Sequence, residues 1–99
     1  MIKKRFFKTK DEVEVTFEYE GAEGVNSVAL VSEHNGWEPI EMPQLKRGAF
    51  QVKERLPKNG RFQFRYFLNG ETWANDDEAD DYAANEHGSQ NSIIDTTAD

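Results

Sequence analysis

Two tryptophans are the residues of this chain whose type and setting first point to a function. Trp37 ends the polar segment Ser32-Glu33-His34-Asn35-Gly36-Trp37, which directly follows an apolar run, and Trp73 comes shortly after the dipeptide Asn69-Gly70. Turn residues of this kind place an indole at the end of a strand. The face of an indole is apolar and electron-rich, so the C–H bonds of a sugar ring pack well against it. The tryptophans therefore predict a carbohydrate-binding surface; the alternative is that both rings fill the core.

Polar side chains near the tryptophans would complete such a surface. Arg65 lies in an alternating segment, on the face opposite Phe64 and Tyr66, so we expect its side chain to be exposed. Trp73 follows across a hairpin and is expected to stand near Arg65. The guanidinium of Arg65 and the amide of Asn91 are suitable hydrogen-bonding partners for sugar hydroxyls.

The histidines and carboxylates do not form a recognisable catalytic set. His34 and His87 lie far apart in unlike contexts, and the chain has neither a serine in a nucleophile elbow nor a glycine-rich phosphate loop. Acidic residues cluster in segment 75–81, which we expect to be a solvated loop where no carboxylate pKa is raised for glycoside hydrolysis. We expect no enzymatic activity and no cofactor.

The same acidic segment does not fit an EF-hand calcium loop. Counting from Asp76, the sixth residue is Asp81, where that loop requires glycine. The twelfth is His87, where the loop requires glutamate. We therefore predict an acidic surface loop and no metal site.

Length and composition predict one small domain. The chain has 99 residues and no cysteine, which excludes disulfides and thiolate metal sites and agrees with a cytoplasmic location. Its formal net charge of -7 disfavours binding to nucleic acid. The basic residues at the start are not followed by a long apolar run, so we expect no signal peptide and no membrane anchor. We assign residues 1–99 to a single domain, with 1–12 as an N-terminal edge segment and 96–99 as a disordered tail.

Period-two alternation predicts strands along most of the chain. It is clearest in residues 13–19 and 61–68, and further strands are expected at 25–31, 50–56 and 92–95. Asn69-Gly70 predicts a two-residue type I′ hairpin, because both residues tolerate positive φ. Short strands with a turn every eight to twelve residues are typical of an all-β, immunoglobulin-like antiparallel β-sandwich.

Three blocks of the sequence, in order, resemble the family 48 carbohydrate-binding modules. The segment from Val28 to Trp37 is similar to the opening motif of that family, and the segment from Arg61 to Gly70, followed by Trp73, is similar to its aromatic strand, turn and tryptophan. The closing Gly88-Ser89-Gln90-Asn91-Ser92-Ile93-Ile94 resembles the end of these modules. The family includes the isoamylase N-terminal (early set) domains and the glycogen-binding domains of AMP-activated kinase β subunits. The resemblance covers roughly residues 16–95 and implies the sandwich fold.

The resemblance also implies a set of sugar-binding residues. In the glycogen-binding members the site uses two tryptophans, a basic residue on the aromatic strand, and a Leu, Thr and Asn before the last strand. Carried over by position, these are the residues Trp37, Trp73, Arg65, His87, Ser89 and Asn91. His87 stands at the Leu position, Ser89 at the Thr position, and His34 departs from a usual Phe.

The family context implies binding and leaves two hypotheses for this chain. Many members precede the catalytic barrels of glycoside hydrolase family 13, and a barrel alone takes about 250 residues. The first hypothesis is a non-catalytic module that binds an α-1,4-glucan such as glycogen or a maltooligosaccharide, with Gln63 assisting. The alternative is a protein-interaction domain that docks on a glucan-metabolising enzyme or another partner without binding sugar. We expect no nucleic-acid and no membrane partner.

Overall fold

Nine strands and one 3₁₀ turn form the computed structural model, which describes residues 1–86 and 88–97. The strands are β1 Ile2–Phe6, β2 Glu12–Tyr19, β3 Val28–Ser32, β4 Ile40–Glu41, β5 Phe50–Pro57, β6 Arg61–Leu68, β7 Thr72–Ala74, β8 Asp81–Ala84 and β9 Gln90–Asp95. The 3₁₀ turn, Glu33–Asn35, directly follows β3. No helix in this described part of the chain is long and apolar enough to cross a membrane.

The strands form two antiparallel sheets. The smaller sheet has the order β1-β2-β5, and the larger has the order β4-β3-β6-β9-β8, with β7 paired to the end of β6. The chain passes from one sheet to the other between β2 and β3, between β4 and β5, and between β5 and β6. The predicted all-β, immunoglobulin-like antiparallel sandwich is therefore confirmed.

The core lies between the sheets and is built from the residues that alternate inward. Val13, Val15 and Phe17 from β2 are fully buried, as are Phe64 and Tyr66 from β6. The rings of Phe17 and Phe64 meet edge to face with centroids 5.0 Å apart, an arrangement that aromatic pairs favour. Because β6 buries its even-numbered residues, its odd-numbered residues point to the outer face of the larger sheet.

The hairpin after β6 differs from the predicted two-residue turn. Asn69 and Gly70 have the expected positive φ angles of 53° and 69°, but Leu68 pairs with Thr72, so the loop has three residues. Tertiary contacts fix this geometry. The Asn69 side chain accepts hydrogen bonds from the backbone N–H groups of Asn26 and Ser27, at 2.7 and 3.1 Å, in the loop before β3.

The acidic segment is largely an exposed loop, as the sequence predicted, but its first carboxylate is buried. Asp76 is 2% exposed, and its carboxylate accepts hydrogen bonds from the Tyr66 hydroxyl at 2.7 Å and from the Met1 α-amino group at 2.9 Å. Asp80 forms an ion pair with Lys4 at 2.7 Å. The residues after it form β8, which pairs with β9. Backbone pairing to a neighbouring strand thus overrides the weak strand propensity of Asp and Ala.

The chain end is ordered further than predicted. Thr96, assigned above to a disordered tail, is fully buried. Its hydroxyl accepts from the Gly60 N–H at 2.9 Å and donates to the Pro57 carbonyl at 2.7 Å, which ties it to the turn between β5 and β6. Residues 98 and 99 lie outside the described part of the chain.

Candidate functional site

The outer face of the larger sheet, turned away from the smaller sheet, brings most of the predicted site residues together. Arg65 and Phe67 point outward from β6. Val31 on β3 is the cross-strand partner of Arg65, and Trp73 on β7 is the partner of Phe67. Strand register thus places an apolar residue beside the arginine and an indole beside the phenyl ring.

A groove on this face, here called the tryptophan groove, has a volume of about 410 Å³. It is lined by Val31, Trp37, Arg65, Trp73, Asn85, Glu86 and Asn91. Trp37 is 42% exposed and Trp73 is 47% exposed. These fractions decide between the two interpretations of the tryptophans, because an indole of the core would be closed to solvent. Both rings are surface groups in the same groove.

Trp37 is held by the short 3₁₀ turn after β3. The Ser32 carbonyl accepts from the Trp37 N–H at 2.9 Å, and the Glu33 carbonyl accepts from the Gly36 N–H at 3.2 Å. Gly36 and Trp37 both have positive φ, 74° and 67°. For Gly36 this conformation is free of strain, whereas for a bulky residue such as Trp37 it is unfavourable. The exposed indole is therefore attached to a strained backbone position.

His34 links the same turn to the smaller sheet through a contact with β5. Its side chain is 6% exposed, with Nδ1 2.7 Å from the Ser32 hydroxyl and Nε2 3.3 Å from the Glu54 carboxylate on β5. On the opposite side of the turn, the Glu33 carboxylate accepts from the Gln63 N–H at 2.8 Å. His34 thus stands in a buried polar position beneath the Trp37 loop, linking both sheets.

Trp73 has one aromatic and one cationic neighbour, Phe67 and Arg65. Its ring centroid is 4.4 Å from that of Phe67, with the ring planes inclined by 36°. The guanidinium carbon of Arg65 is 5.3 Å from the Trp73 ring, within the range of a cation–π contact. The sequence predicted that Arg65 and Trp73 lie close together, but it did not predict that Phe67 packs on Trp73. In the sequence, Phe67 alternates with the buried residues of β6 as Arg65 does, and this pattern could have indicated that its ring lies on the outer face.

Arg65 is half-buried, which corrects the expectation of an exposed side chain. Its guanidinium lies over the Trp73 ring. Its Nη1 donates to the Ser89 hydroxyl at 3.5 Å, while Nε is buried without a hydrogen-bond partner. Arg65 therefore lines the groove with a partly buried guanidinium, whose five N–H groups make it a hydrogen-bond donor.

A polar network forms the side of the groove along β9. The Asn91 amide donates to the Gln63 side-chain oxygen at 2.8 Å and accepts from the Asn85 amide at 3.2 Å. Asn85 also donates to the Ser89 hydroxyl at 2.9 Å. Hydrogen bonds from Asn85 therefore orient both Ser89 and Asn91, and the bond to Gln63 also holds Asn91. Asn85 was not predicted; an Asn a few residues before a glycine turn was its only signal.

His87, predicted from the resemblance at the Leu position, lies outside the described residues. In the described ranges 1–86 and 88–97, no group of three or more His, Asp or Glu side chains is arranged to hold a metal ion. No model of a known protein family matches this chain, and no curated protein is significantly similar to it.

Proposed function

We propose that this protein is a non-catalytic α-glucan-binding module of the kind that its sequence resembles. The observation that supports this most is the pair of exposed indoles, Trp37 and Trp73, which line one groove with the Arg65 guanidinium beside them. Two apolar ring faces and one fixed donor suit a chain of sugar rings. The C–H face of each ring packs on an indole, while hydroxyls around its edge bond to polar side chains.

The remaining groove residues fit this proposal. Asn91 and Ser89 present amide and hydroxyl groups that both donate and accept, as sugar hydroxyls do. The groove is open, so a bound sugar keeps much of its hydration. We therefore expect dissociation constants in a range of about micromolar to millimolar. The choice of glycogen or a maltooligosaccharide among glucans, and a cytoplasmic setting, rest on the resemblance and on the absence of cysteine.

The direct test is a titration of isotope-labelled protein with maltoheptaose and β-cyclodextrin, followed by amide and indole NMR shifts. Both Trp indole N–H signals and the Asn91 amide should move together and saturate. Signals that stay still at millimolar sugar would refute glucan binding.

Replacing Trp73 tests the main stacking platform. We expect Trp73→Ala to weaken maltoheptaose binding by at least about tenfold, because it removes a ring face worth about 1.5 kcal/mol or more. The variant should remain folded but lose some stability, because Trp73 is 47% exposed yet packs on Phe67 and Arg65. Phe6→Ala is the matched control, because Phe6 is an exposed aromatic of the smaller sheet at 38%. Equal loss in both variants would contradict a site at Trp73.

A protein-interaction role is the second candidate. Phe6 on the edge strand β1 and Tyr82 on the edge strand β8 are large side chains with 38% and 37% exposure. Edge strands are common sites of docking between proteins. Capture of a glucan-metabolising enzyme by the protein, lost in Phe6→Ala and unaffected by Trp73→Ala, would favour this candidate.

A further inference from the structure

A second groove lies beside the Phe67 ring. This groove, here called the lateral groove, has a volume of about 280 Å³. Its lining includes Ser27, Ala29, Pro39, Glu41, Phe67 and Gly70. None of these residues belongs to the site predicted from the sequence.

Strand register places residues of the two grooves in one row across the outer face. Glu41 is the cross-strand partner of Ala29, Ala29 is the partner of Phe67, and Phe67 is the partner of Trp73. Adjacent strands lie about 4.8 Å apart, so this row extends about 14 Å across the outer face. The Phe67 ring lines the lateral groove and packs on the Trp73 ring, which lines the tryptophan groove.

The lining of the lateral groove has the chemistry that a sugar ring requires. Ala29, Pro39 and Phe67 supply an apolar surface for C–H bonds. Glu41 and Ser27 also line the groove, and a carboxylate and a hydroxyl are suitable acceptors for the hydroxyl groups of a sugar. The site of Gly70 is open, because a Cβ there would meet nothing within 4 Å. A carboxylate at this position disfavours an anionic ligand and suits a neutral polyol.

We propose that the lateral groove is a second subsite for the same neutral glucan chain that occupies the tryptophan groove. The chain crosses the Phe67 and Trp73 ring pair and places further sugar units against Ala29 and Glu41. This inference rests on the proposed function, and it adds that the protein recognises an extended stretch of glucan. A short oligosaccharide fills the tryptophan groove alone, whereas a longer one reaches both grooves.

The experiment compares maltotriose with maltoheptaose on protein labelled at backbone amides and alanine methyls. With maltotriose, the Trp37 and Trp73 indole signals should move while the Ala29 methyl and Gly70 amide stay still. With maltoheptaose, all four signals should move at one common dissociation constant.

Each other outcome overturns the inference. Indole shifts with both sugars and a still lateral groove would refute the second subsite and leave the proposed function standing. Lateral-groove shifts with maltotriose would show an independent site instead of a continuous one. No shift anywhere, with either sugar, would refute the proposed function and the second subsite together.

Two variants test the same point by affinity. Ala29→Arg fills the lateral groove, and Glu41→Ala removes its carboxylate. We expect either variant to bind maltotriose within about twofold of the parent and maltoheptaose about fivefold or more weakly. An unchanged preference for the longer sugar in both folded variants would overturn the inference. The shifts of the parent protein decide the question if Ala29→Arg does not fold.

Discussion

Trp37 has an unfavourable backbone conformation and an exposed ring. A non-glycine residue at φ 67° costs about 1 to 2 kcal/mol relative to the ordinary right-handed region. The ring gains little from burial in return, because 42% of the residue is exposed. Strain of this kind persists where the surrounding structure fixes the residue for a function. The 3₁₀ turn is held in place by hydrogen bonds of Ser32, Glu33 and His34.

Two substitutions at Trp37 separate strain from binding. We expect Trp37→Gly to be more stable than Trp37→Ala by about 1 kcal/mol, because glycine adopts positive φ without cost. Both variants should lose glucan binding to the same extent, since neither has the indole. Urea unfolding and a maltoheptaose titration measure the two effects. A Trp37→Gly variant no more stable than Trp37→Ala would contradict the strain.

Arg65 shows a related compromise at the scale of a single side chain. Its Nε is buried with no hydrogen-bond partner, which is unfavourable for folding. The guanidinium is nevertheless held 5.3 Å from the Trp73 ring, where the cation–π attraction offsets part of that cost. Arg65 is thus a cation placed by its contacts with Trp73 and Ser89.

The elements are joined by buried carboxylates as well as by the apolar core. Glu18 on β2 is 1% exposed and accepts from Arg47 Nη2 at 2.6 Å and from Gln51 Nε2 at 2.9 Å. Burial raises the pKa of Glu18. The hydrogen bonds from Arg47 and Gln51 and the charge of Arg47 together lower it by more, so the pKa lies below its usual value. The carboxylate therefore ties β2 to β5 and to the loop before β5.

The lowered pKa of Glu18 makes part of the stability dependent on pH. A group whose folded-state pKa is depressed stabilises the fold fully above its unfolded-state pKa, about 4.3 for Glu. That contribution is lost as the pH falls through the lower folded-state pKa. We expect the parent to lose more free energy of unfolding between about pH 6 and about pH 3 than Glu18→Gln does. Urea unfolding across this range measures it, and parallel pH profiles would contradict the role of Glu18.

Asp76 joins the segment after β7 to β6 and to the start of the chain. Burial, followed by the Asp76 charge, raises the pKa of the Tyr66 hydroxyl, so Tyr66 remains the donor in their 2.7 Å hydrogen bond. The Asp76 carboxylate also accepts from the Glu78 N–H at 2.8 Å. This buried network anchors the segment that leads from Trp73 to β8.

Removing either partner of this network should destabilise the fold by different amounts. We expect Tyr66→Phe to cost about 1.5 kcal/mol, the value of one hydrogen bond to a charged group. Asp76→Asn should cost about 3 kcal/mol, because it weakens the bonds from both Tyr66 and the Met1 α-amino group. Urea unfolding of both variants measures this order. A larger loss in Tyr66→Phe would show that the hydroxyl and not the carboxylate is central.

At the scale of the whole molecule, the formal net charge of -7 is consistent with a neutral ligand. We expect the dissociation constant for maltoheptaose to change by less than about twofold when the ionic strength rises from about 0.05 M to about 0.5 M, because salt screens only interactions between charges. Isothermal titration at both salt concentrations measures this. Strong weakening by salt would show that an ion competes for the groove and would contradict a site suited to a neutral sugar.

Much of the fold follows from the sequence, because period-two alternation is a local signal. The alternation in residues 13–19 and 61–68 determined β2 and β6 and which of their residues face inward, and Asn69-Gly70 determined where the chain reverses. The same parity gave the outward direction of Arg65. The two tryptophans could be identified as candidates for stacking, but their exposure could not be predicted, since an indole suits a core as well as a surface.

Only the tertiary structure decided the features that depend on distant partners. Asp76 is buried because Tyr66 and the Met1 amine meet it, whereas its acidic neighbours in the sequence predicted a solvated loop. β8 forms because its backbone pairs with β9. Phe67 lies beside Ala29 and Trp73 because these residues are its cross-strand partners. Alternation along one strand specifies a face; which side chains meet on that face is set by pairing between strands far apart in the sequence.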